Sequence, residues 1–169
     1  MDKYHEDIDK ARPFEKKCVE ELKKFHGKFS GFSHIDDLKI NWQSAYGDAY
    51  DPSRREWMEI KADNYKPTGN LFIERYSNLQ DKIDGGPWQY SKCKYYVYYF
   101  VNQDRIIIMN TLKLKNYVEK AIQEKSCRES TISRAKTGRD WETFGYLVKE
   151  EVLSKNIPWK EILIDKETQ

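Results

Sequence analysis

The feature that most constrains the fold is a pair of strongly β-favouring runs in the middle of the chain. Residues 95–101 read YYVYYFV, residues 105–109 read RIIIM, and only three polar residues separate them. Aromatic and β-branched side chains favour extended chain, and so short a polar link is typical of a tight turn. We therefore expect two neighbouring strands that lie in the middle of a sheet.

Weaker patterns on either side alternate between helical and extended periodicity. The stronger ones predict, in chain order, an amphipathic helix at residues 13–26, a hairpin of strands at 41–50 and 55–62, a short buried strand at 71–73 and a helix at 112–124. The others predict a flexible loop at 126–140, a strand at 143–148, a short helix at 149–155 and an edge segment at 158–164. This order predicts an α/β fold with a mixed central β-sheet flanked by helices.

Length and composition favour one domain. A chain of 169 residues is near the commonest domain size, so residues 1–169 are expected to form a single domain with its core at 13–124 and a small C-terminal extension at 125–169. The formal charge is only +2, so a nucleic-acid partner must be recognised through local basic patches. Three distant cysteines without a CxxC pair favour a reduced compartment, and no apolar run reaches the ~20 residues of a membrane span. We expect a cytoplasmic protein.

One short pattern, Glu59-Ile60-Lys61, carries the groups that metal-dependent hydrolysis needs. Residues two apart in a strand share a face, so Glu59 and Lys61 place an acidic oxygen beside a cation. Acid-x-Lys occurs four times in the chain, but the other three copies lie on the predicted helix or in a turn-rich stretch. Only this copy lies in a strand that follows another strand containing an acid.

Asp48 and Asp51 are the two candidates for the acid of the preceding strand. A turn centred on Pro52-Ser53 places Asp48 opposite Trp57, and therefore on the same face as Glu59. Asp51 begins the turn, where its carboxylate is better used to accept a hydrogen bond from the backbone. A slip of one residue in register would reverse the choice, and we prefer Asp48.

Glu15 lies between Val19 and Leu22 on the apolar stripe of the first predicted helix. A carboxylate in that position is costly unless a charged group meets it, and a metal site at the hairpin is a natural partner. The alternative is an acid at the helix N-terminus, favoured by the helix dipole because Pro13 places it near the start. Both interpretations stay open at this point.

These residues resemble the motif of the PD-(D/E)XK nuclease superfamily, which includes restriction endonucleases and Holliday-junction resolvases. The likeness rests on Phe14-Glu15 at the opening of the first helix, Gly47-Asp48 on one strand and residues 59–63, EIKAD, on the next. It covers roughly residues 13–109. Gly47 stands where the motif has a proline, which is often missing in the superfamily. Residues 69–74, GNLFIE, and the tyrosine-rich run are similar to small phage-encoded members, which implies a host cytoplasm.

The resemblance implies a restriction-endonuclease-like core and a metal-dependent endonuclease that hydrolyses DNA in preference to RNA. In that superfamily the helix glutamate and the hairpin acids bind Mg²⁺, so the implied ligands are Asp48, Glu59 and the Ile60 carbonyl, supported by Glu15. Mn²⁺ is expected to substitute for Mg²⁺. The superfamily's lysine assists the attacking water, which implies that role for Lys61. A homodimer fits this activity, since cutting two strands needs two sites.

Other residues have both a functional and a structural interpretation. Glu74 ends the predicted strand at 71–73 and is either a further metal ligand or the ion-pair partner of Arg75. Four basic residues are candidates for phosphate contacts: Lys66, Arg75, Lys92 and Lys94. The polar stretch at 126–140 holds four more that are candidates for following a DNA backbone: Arg128, Arg134, Lys136 and Arg139.

Aromatic and histidine residues add little to these expectations. The tyrosine-rich run either stacks unpaired bases or forms a buried strand, and burial is the commoner outcome. The three histidines, His5, His26 and His34, show no ligand spacing and are expected at the surface or at helix ends. The rival to an enzyme is a catalytically silent nuclease fold that binds nucleic acid or a host protein. The two differ in whether the four motif side chains converge on one metal-sized space.

Overall fold

The structure is a computed structural model that describes residues 3–25, 27–41, 45–64, 67–133 and 142–164. Its elements are α1 (Lys3–Lys24), β1 (Ser33–His34), β2 (Ala49–Asp51), β3 (Glu56–Asp63), β4 (Asn70–Asn78), β5 (Ile83–Asp84), α2 (Gly86–Gln89), β6 (Tyr95–Phe100), β7 (Arg105–Asn110), α3 (Thr111–Gln123), β8 (Arg128–Ser133), β9 (Glu142–Lys149), α4 (Glu150–Asn156) and β10 (Trp159–Leu163). No helix within the described ranges has both the length and the apolar character needed to cross a membrane.

The chain forms two compact units. The first comprises Met1–Lys66, Lys92–Met109 and Trp159–Gln169, and it holds α1 and a six-stranded sheet in the order β1-β2-β3-β6-β7-β10. The β3–β6 pair is parallel, whereas the β1–β2, β2–β3 and β7–β10 pairs are antiparallel. The second unit comprises Pro67–Ser91 and Asn110–Pro158, and its antiparallel sheet has the order β5-β4-β9-β8. The predicted α/β class with a mixed central sheet is confirmed.

The core of the first unit lies between α1 and one face of its sheet. The apolar stripe of α1, with Cys18, Val19 and Leu22, packs in one cluster with Met58 and Ile60 of β3. These alternate residues point to the core because successive side chains of a strand face opposite sides of the sheet. All six residues of β6 are buried, so the buried-strand interpretation of the tyrosine-rich run is confirmed. The expectation that β6 and β7 lie inside the sheet is also confirmed.

The first helix begins ten residues earlier than predicted, at Lys3 instead of Pro13. Proline favours the first turn of a helix because it lacks a backbone N–H, but here Pro13 lies inside a continuous 22-residue helix. Glu15 is therefore more than three turns from the N-terminus of the helix. A dipole effect fades within the first turn, so the interpretation of Glu15 as a helix-terminal acid is wrong.

Two further strand predictions need correction. The strand expected at residues 71–73 extends over Asn70–Asn78 and pairs with β9 in the second sheet. The segment expected as a flexible loop forms β8, whose polar residues pair through their backbone with β9 at the edge of that sheet. An edge strand needs no apolar alternation when backbone pairing holds it, so side-chain periodicity missed it. Arg128 opens β8, while residues 134–141 lie outside the described part of the chain.

The hairpin register differs from the prediction by two residues. Trp57 lies opposite Tyr50 instead of Asp48, because the turn spans four residues and ends at Arg55 in a left-handed conformation, φ 56°. A shift of two keeps every side chain on its predicted face, whereas a shift of one would reverse them. The preference for Asp48 over Asp51 therefore survives the change in register.

Asp51 holds the turn, as the sequence predicted. Its Oδ1 accepts hydrogen bonds from Ser53 N at 2.9 Å, Ser53 Oγ at 2.6 Å and Arg54 N at 3.2 Å. Burial acts to raise the pKa of Asp51, but these hydrogen bonds from Ser53 and Arg54 outweigh it and hold the pKa below its ordinary value. The ionised carboxylate therefore stabilises the folded hairpin.

Replacing Asp51 tests this role. We expect Asp51→Ala to lower the free energy of unfolding at pH 7 by about 1–2 kcal/mol, because it removes all three acceptor contacts. The matched variant Asp51→Asn keeps an acceptor oxygen, so its free energy of unfolding should fall by less. A carboxyl whose pKa is lowered by folding stabilises above its unfolded pKa, so the deficit of the alanine variant should shrink as the pH falls below about 4. Urea unfolding at pH 7 and pH 3 measures both effects, and an undiminished deficit at pH 3 would contradict the assignment.

Candidate active site

Three hydrogen bonds to the backbone of other residues fix Asp48 at the start of β2. Its N–H donates to the Met58 carbonyl at 2.9 Å, and its own carbonyl accepts from Ile35 N at 3.0 Å. Its side-chain Oδ2 accepts from Ile60 N at 2.8 Å. The carboxylate thus takes the place of a strand partner for the Ile60 N–H, and this holds it against β3.

Glu59 lies beside Asp48 on the same face of the sheet. The two carboxyl groups are close enough to share a hydrogen bond, and Glu59 is only 4% exposed. Its Oε2 is buried and accepts from no donor among the described residues. Two ionised carboxylates have no proton to share, so this pair needs either a bound proton or a cation between its oxygens.

The pKa values of Asp48 and Glu59 are both raised, because two buried carboxylates repel each other. Burial raises the pKa of Asp48 to about 7, the charge of Glu15 adds to the rise, and the hydrogen bond from Ile60 N–H opposes it. Burial, followed by the charge of Asp48, raises the pKa of Glu59 well above its ordinary value, and the charge of Lys61 acts in the opposite direction. An added cation would relieve the repulsion that the pair cannot relieve by itself.

Lys61 and the Ile60 backbone complete the group on β3. Lys61 is half-buried and lies two residues beyond Glu59, on the same face. An extended residue directs its N–H and C=O toward the same edge of its strand. Because the Ile60 N–H meets the Asp48 side chain, the Ile60 carbonyl also lies on the Asp48 side. An amine and a backbone oxygen therefore adjoin the acidic pair.

Glu15 contacts His34, a residue whose predicted position is wrong. His34 was expected at the surface or at a helix end, but it is 1% exposed on β1, and its Nε2 lies 3.2 Å from Glu15 Oε2. Its Nδ1 accepts from Asp36 N at 3.2 Å, so Nε2 is the ring nitrogen that donates to Glu15. The position of Glu15 on the apolar stripe of α1 was the sequence signal that such a partner exists.

Gly47 brings two strands unusually close to each other. A Cβ atom at this position would lie 2.6 Å from the Met58 carbonyl oxygen and 2.6 Å from Cys93 Sγ. Burial raises the pKa of the Cys93 thiol, which stays protonated and donates to the Tyr46 carbonyl at 2.8 Å. The glycine that stands in place of the motif's proline is thus required by packing.

Glu74 and Arg75 belong to the second unit. Glu74 is buried against Gly85, whose missing side chain leaves room for its carboxylate. Arg75 pairs with Asp84, and its guanidinium lies over Trp88 at 4.9 Å. Arg75 thus has an acidic partner within its own unit.

The other lysines suggested for phosphate contacts differ in their surroundings. Lys92 is exposed, and its Nζ lies 4.0 Å from the centre of the Tyr46 ring. Lys94 is exposed and forms an ion pair with Glu56. Lys66 lies outside the described residues. Lys92 is thus the candidate that has both exposure and a place beside the Tyr46–Asp48 segment.

The donor groups fit a hard cation that keeps part of its water shell. Within the described ranges, no three His, Cys, Asp or Glu side chains are arranged so that they alone would hold a metal ion. Mg²⁺ rarely uses such a cage, since it retains several waters and binds through one or two carboxylates together with substrate phosphate. Asp48, Glu59 and the Ile60 carbonyl supply that kind of donor set, and the buried Glu59 Oε2 has a free acceptor position.

Comparisons of the chain with protein-family models, with curated proteins and with solved structures find no match. Function is therefore inferred from the chemistry of the residues themselves. The features that bear on it are the facing carboxyl groups of Asp48 and Glu59, the neighbouring lysine and the partly buried Glu15–His34 contact.

Removing one charge of the pair should stabilise the protein in mild alkali. The folded pKa values are raised, so the folded state binds more protons than the unfolded chain, and stability is lost as the pH rises toward about 7. We expect Glu59→Gln to unfold with a free energy higher than wild type at pH 8, on the order of 2 kcal/mol, and with a smaller gain at pH 5.

The control for this measurement is Glu56→Gln, which changes an acid on the same strand that is paired with Lys94. It should change stability little at either pH, because Lys94 offsets the charge of Glu56 and the exposed lysine end keeps the ion pair weak. Chemical denaturation at pH 5 and pH 8 compares the three proteins. A Glu59→Gln protein that is less stable than wild type at pH 8 would show that the two carboxyl groups do not repel each other.

Proposed function

We propose that the chain is a metal-dependent nuclease that hydrolyses phosphodiester bonds of DNA, cutting within strands. The observation that carries the proposal is the Asp48–Glu59 pair, in which two facing carboxyl groups lie beside Lys61 on the same face of the sheet. Hydrolysis of a phosphodiester requires charge to be offset at the phosphate while water attacks, and acids that hold a hard cation beside a fixed amine are suited to this task.

Mg²⁺ is the proposed cofactor, with Mn²⁺ as a substitute. Asp48 and Glu59 would hold it through carboxylate oxygens, together with the Ile60 carbonyl. A bound Mg²⁺ would polarise a phosphoryl oxygen and offset the charge on the phosphate and on the leaving oxygen. The hydrogen bond from Ile60 N–H to Asp48 Oδ2 holds this carboxylate in place beside Glu59.

Lys61 acts as a fixed positive charge. The charges of Lys61 and Glu59 interact, and a neighbouring carboxylate favours the ammonium form of lysine. A lysine that stays protonated positions water and stabilises the transition state, whereas a free general base would have to be neutral. This assigns Lys61 an electrostatic role.

Glu15 and His34 have a supporting role. The side chain of Glu15 is 13% exposed and contacts His34, while its charge raises the pKa of both Asp48 and Glu59. His34 orients Glu15 toward the pair by donating from Nε2. Outer partners of this kind orient the groups that hold a metal. Together, the helix acid, the hairpin acid and the acid-x-Lys strand agree with the motif that the chain resembles.

The activity test compares supercoiled, linear, branched and single-stranded DNA with Mg²⁺ or with EDTA. We expect cleavage only with the divalent ion. Glu59→Gln should abolish it while keeping the fold, because the change deletes a charged ligand at nearly constant shape. Glu56→Gln, on the same strand, should cut at the wild-type rate. Full activity in EDTA or in Glu59→Gln would falsify the metal mechanism, and a well-folded protein that cuts none of these substrates would favour the catalytically silent fold.

Lys61→Ala should lower the cleavage rate by about 10²–10³, which is typical for the loss of one well-placed electrostatic contact. Mn²⁺ affinity measured by calorimetry should stay equal or rise, because the change removes a positive charge beside the cation site. Lys61→Arg keeps the charge and should retain more activity than the alanine variant. An alanine variant that cuts at the wild-type rate, or that folds but no longer binds metal, would make Lys61 a structural ion-pair partner.

A further inference from the structure

Three aromatic side chains form a cluster on the β2–β3 hairpin. The rings of Tyr50 and Trp57 have centroids 4.4 Å apart with an interplanar angle of 31°, so they are close to parallel. The ring of Tyr46 meets Trp57 edge to face, with centroids 5.6 Å apart. We call Tyr46, Tyr50 and Trp57 the aromatic platform.

The platform lies on the same face as the acidic pair. Trp57 is two residues before Glu59 on β3, and side chains two apart in a strand share a face at a spacing of about 7 Å. On the other side of the hairpin, Asp48 stands between Tyr46 and Tyr50, and the Tyr50–Trp57 register sets Asp48 opposite Glu59. A group bound at the platform would therefore be within about one nucleotide of the two carboxylates.

These rings differ from the core aromatics of the same unit. Phe29, Phe32 and Tyr99 are at most 1% exposed, whereas Tyr46 is 46% exposed, and Tyr50 and Trp57 are half-buried. Core packing does not account for an aromatic ring that is almost half in solvent. An exposed aromatic side chain beside a polar site can stack on a flat ligand.

A cation accompanies the platform. The Lys92 Nζ lies 4.0 Å from the centre of the Tyr46 ring, and the lysine side chain is exposed. An exposed amine beside stacked rings can meet a phosphate while the rings meet a base, which is the combination found in proteins that bind single strands. The positive charge of Lys92 also favours a ligand that carries phosphate over an apolar peptide, because an apolar peptide would have no charge to interact with Lys92.

We propose that the aromatic platform stacks an unpaired base, with Lys92 on a neighbouring phosphate, so that the substrate is DNA that is single-stranded at the acidic pair. Bases within a duplex are already stacked on each other and offer no free face. A strand with splayed bases offers one at every nucleotide. The consequence for cleavage rests on the proposed nuclease function, whereas binding at the platform does not.

Binding is measured in EDTA, where a metal-dependent nuclease leaves the probe intact. The probes are a fluorescent oligothymidylate of about 12 nucleotides, a duplex of the same length and an all-abasic strand with the same phosphates. We expect anisotropy titrations of the full chain to give an affinity for oligothymidylate at least about tenfold above both other probes. Equal affinity for the three probes would overturn the proposal, because phosphate attraction alone would then explain binding.

Matched variants locate the binding. Tyr46→Leu keeps an apolar side chain at an exposed position and should weaken oligothymidylate binding about tenfold, with the abasic strand unaffected. Phe25→Leu, a change at another exposed aromatic residue, should have no effect. Lys92→Gln should reduce the slope of log affinity against log salt by about 0.7, whereas Lys160→Gln, at an exposed lysine over the Phe29 ring, should not. Equal losses in Tyr46→Leu and Phe25→Leu would overturn the platform.

The experiments distinguish failure of the nuclease proposal from failure of the aromatic-platform proposal. If the wild-type chain cuts no DNA in Mg²⁺ but binds oligothymidylate through Tyr46, the platform stands and the nuclease does not. If it cuts duplex and single strands at equal rates and Tyr46→Leu binds like wild type, the nuclease stands and the platform does not. Circular dichroism of each variant shows that the fold is kept.

Discussion

The hydrogen bond from Ile60 N–H to Asp48 Oδ2 is the contact on which the site depends. It supplies a carboxylate as the partner of the Ile60 N–H just before β2 begins, and it fixes that carboxylate beside the buried Glu59. Like charges in such a position destabilise the folded protein, since burial and mutual repulsion raise both pKa values. A sheet that retains this pair at the cost of stability is consistent with a site made to receive a cation.

Much of the fold followed from periodicity and β propensity. The β6–β7 pair, α3, β9, α4 and β10 lie within about two residues of their predicted bounds. Elements with a clear side-chain periodicity were predicted correctly. Strands that depend on backbone pairing were missed, because β8 is a polar edge strand and most of β4 beyond Ile73 has no apolar run. The start of α1 was missed because Pro13 is an ambiguous signal.

The acidic site was predicted from the alternation of strand faces, and this alternation is unchanged by a register error of two residues. Strand faces alternate with a period of two, so a register wrong by two residues still placed Asp48 and Glu59 together. His34 was missed because its strand is two residues long and has no periodicity to read. The aromatic platform was missed for another reason: Tyr46 precedes β2, and its contact with Trp57 exists only once the hairpin has closed.

The most direct test of the central claim is the number of protons released when Mn²⁺ binds. Calorimetric titrations at pH 7 in buffers of different ionisation enthalpy give this number, because ligand carboxyls must lose their protons to bind a metal. Because the pKa values of Asp48 and Glu59 are raised, we expect release of about one proton per ion in wild type and little or no binding in Glu59→Gln. Binding without proton release, or equal binding by both proteins, would contradict it.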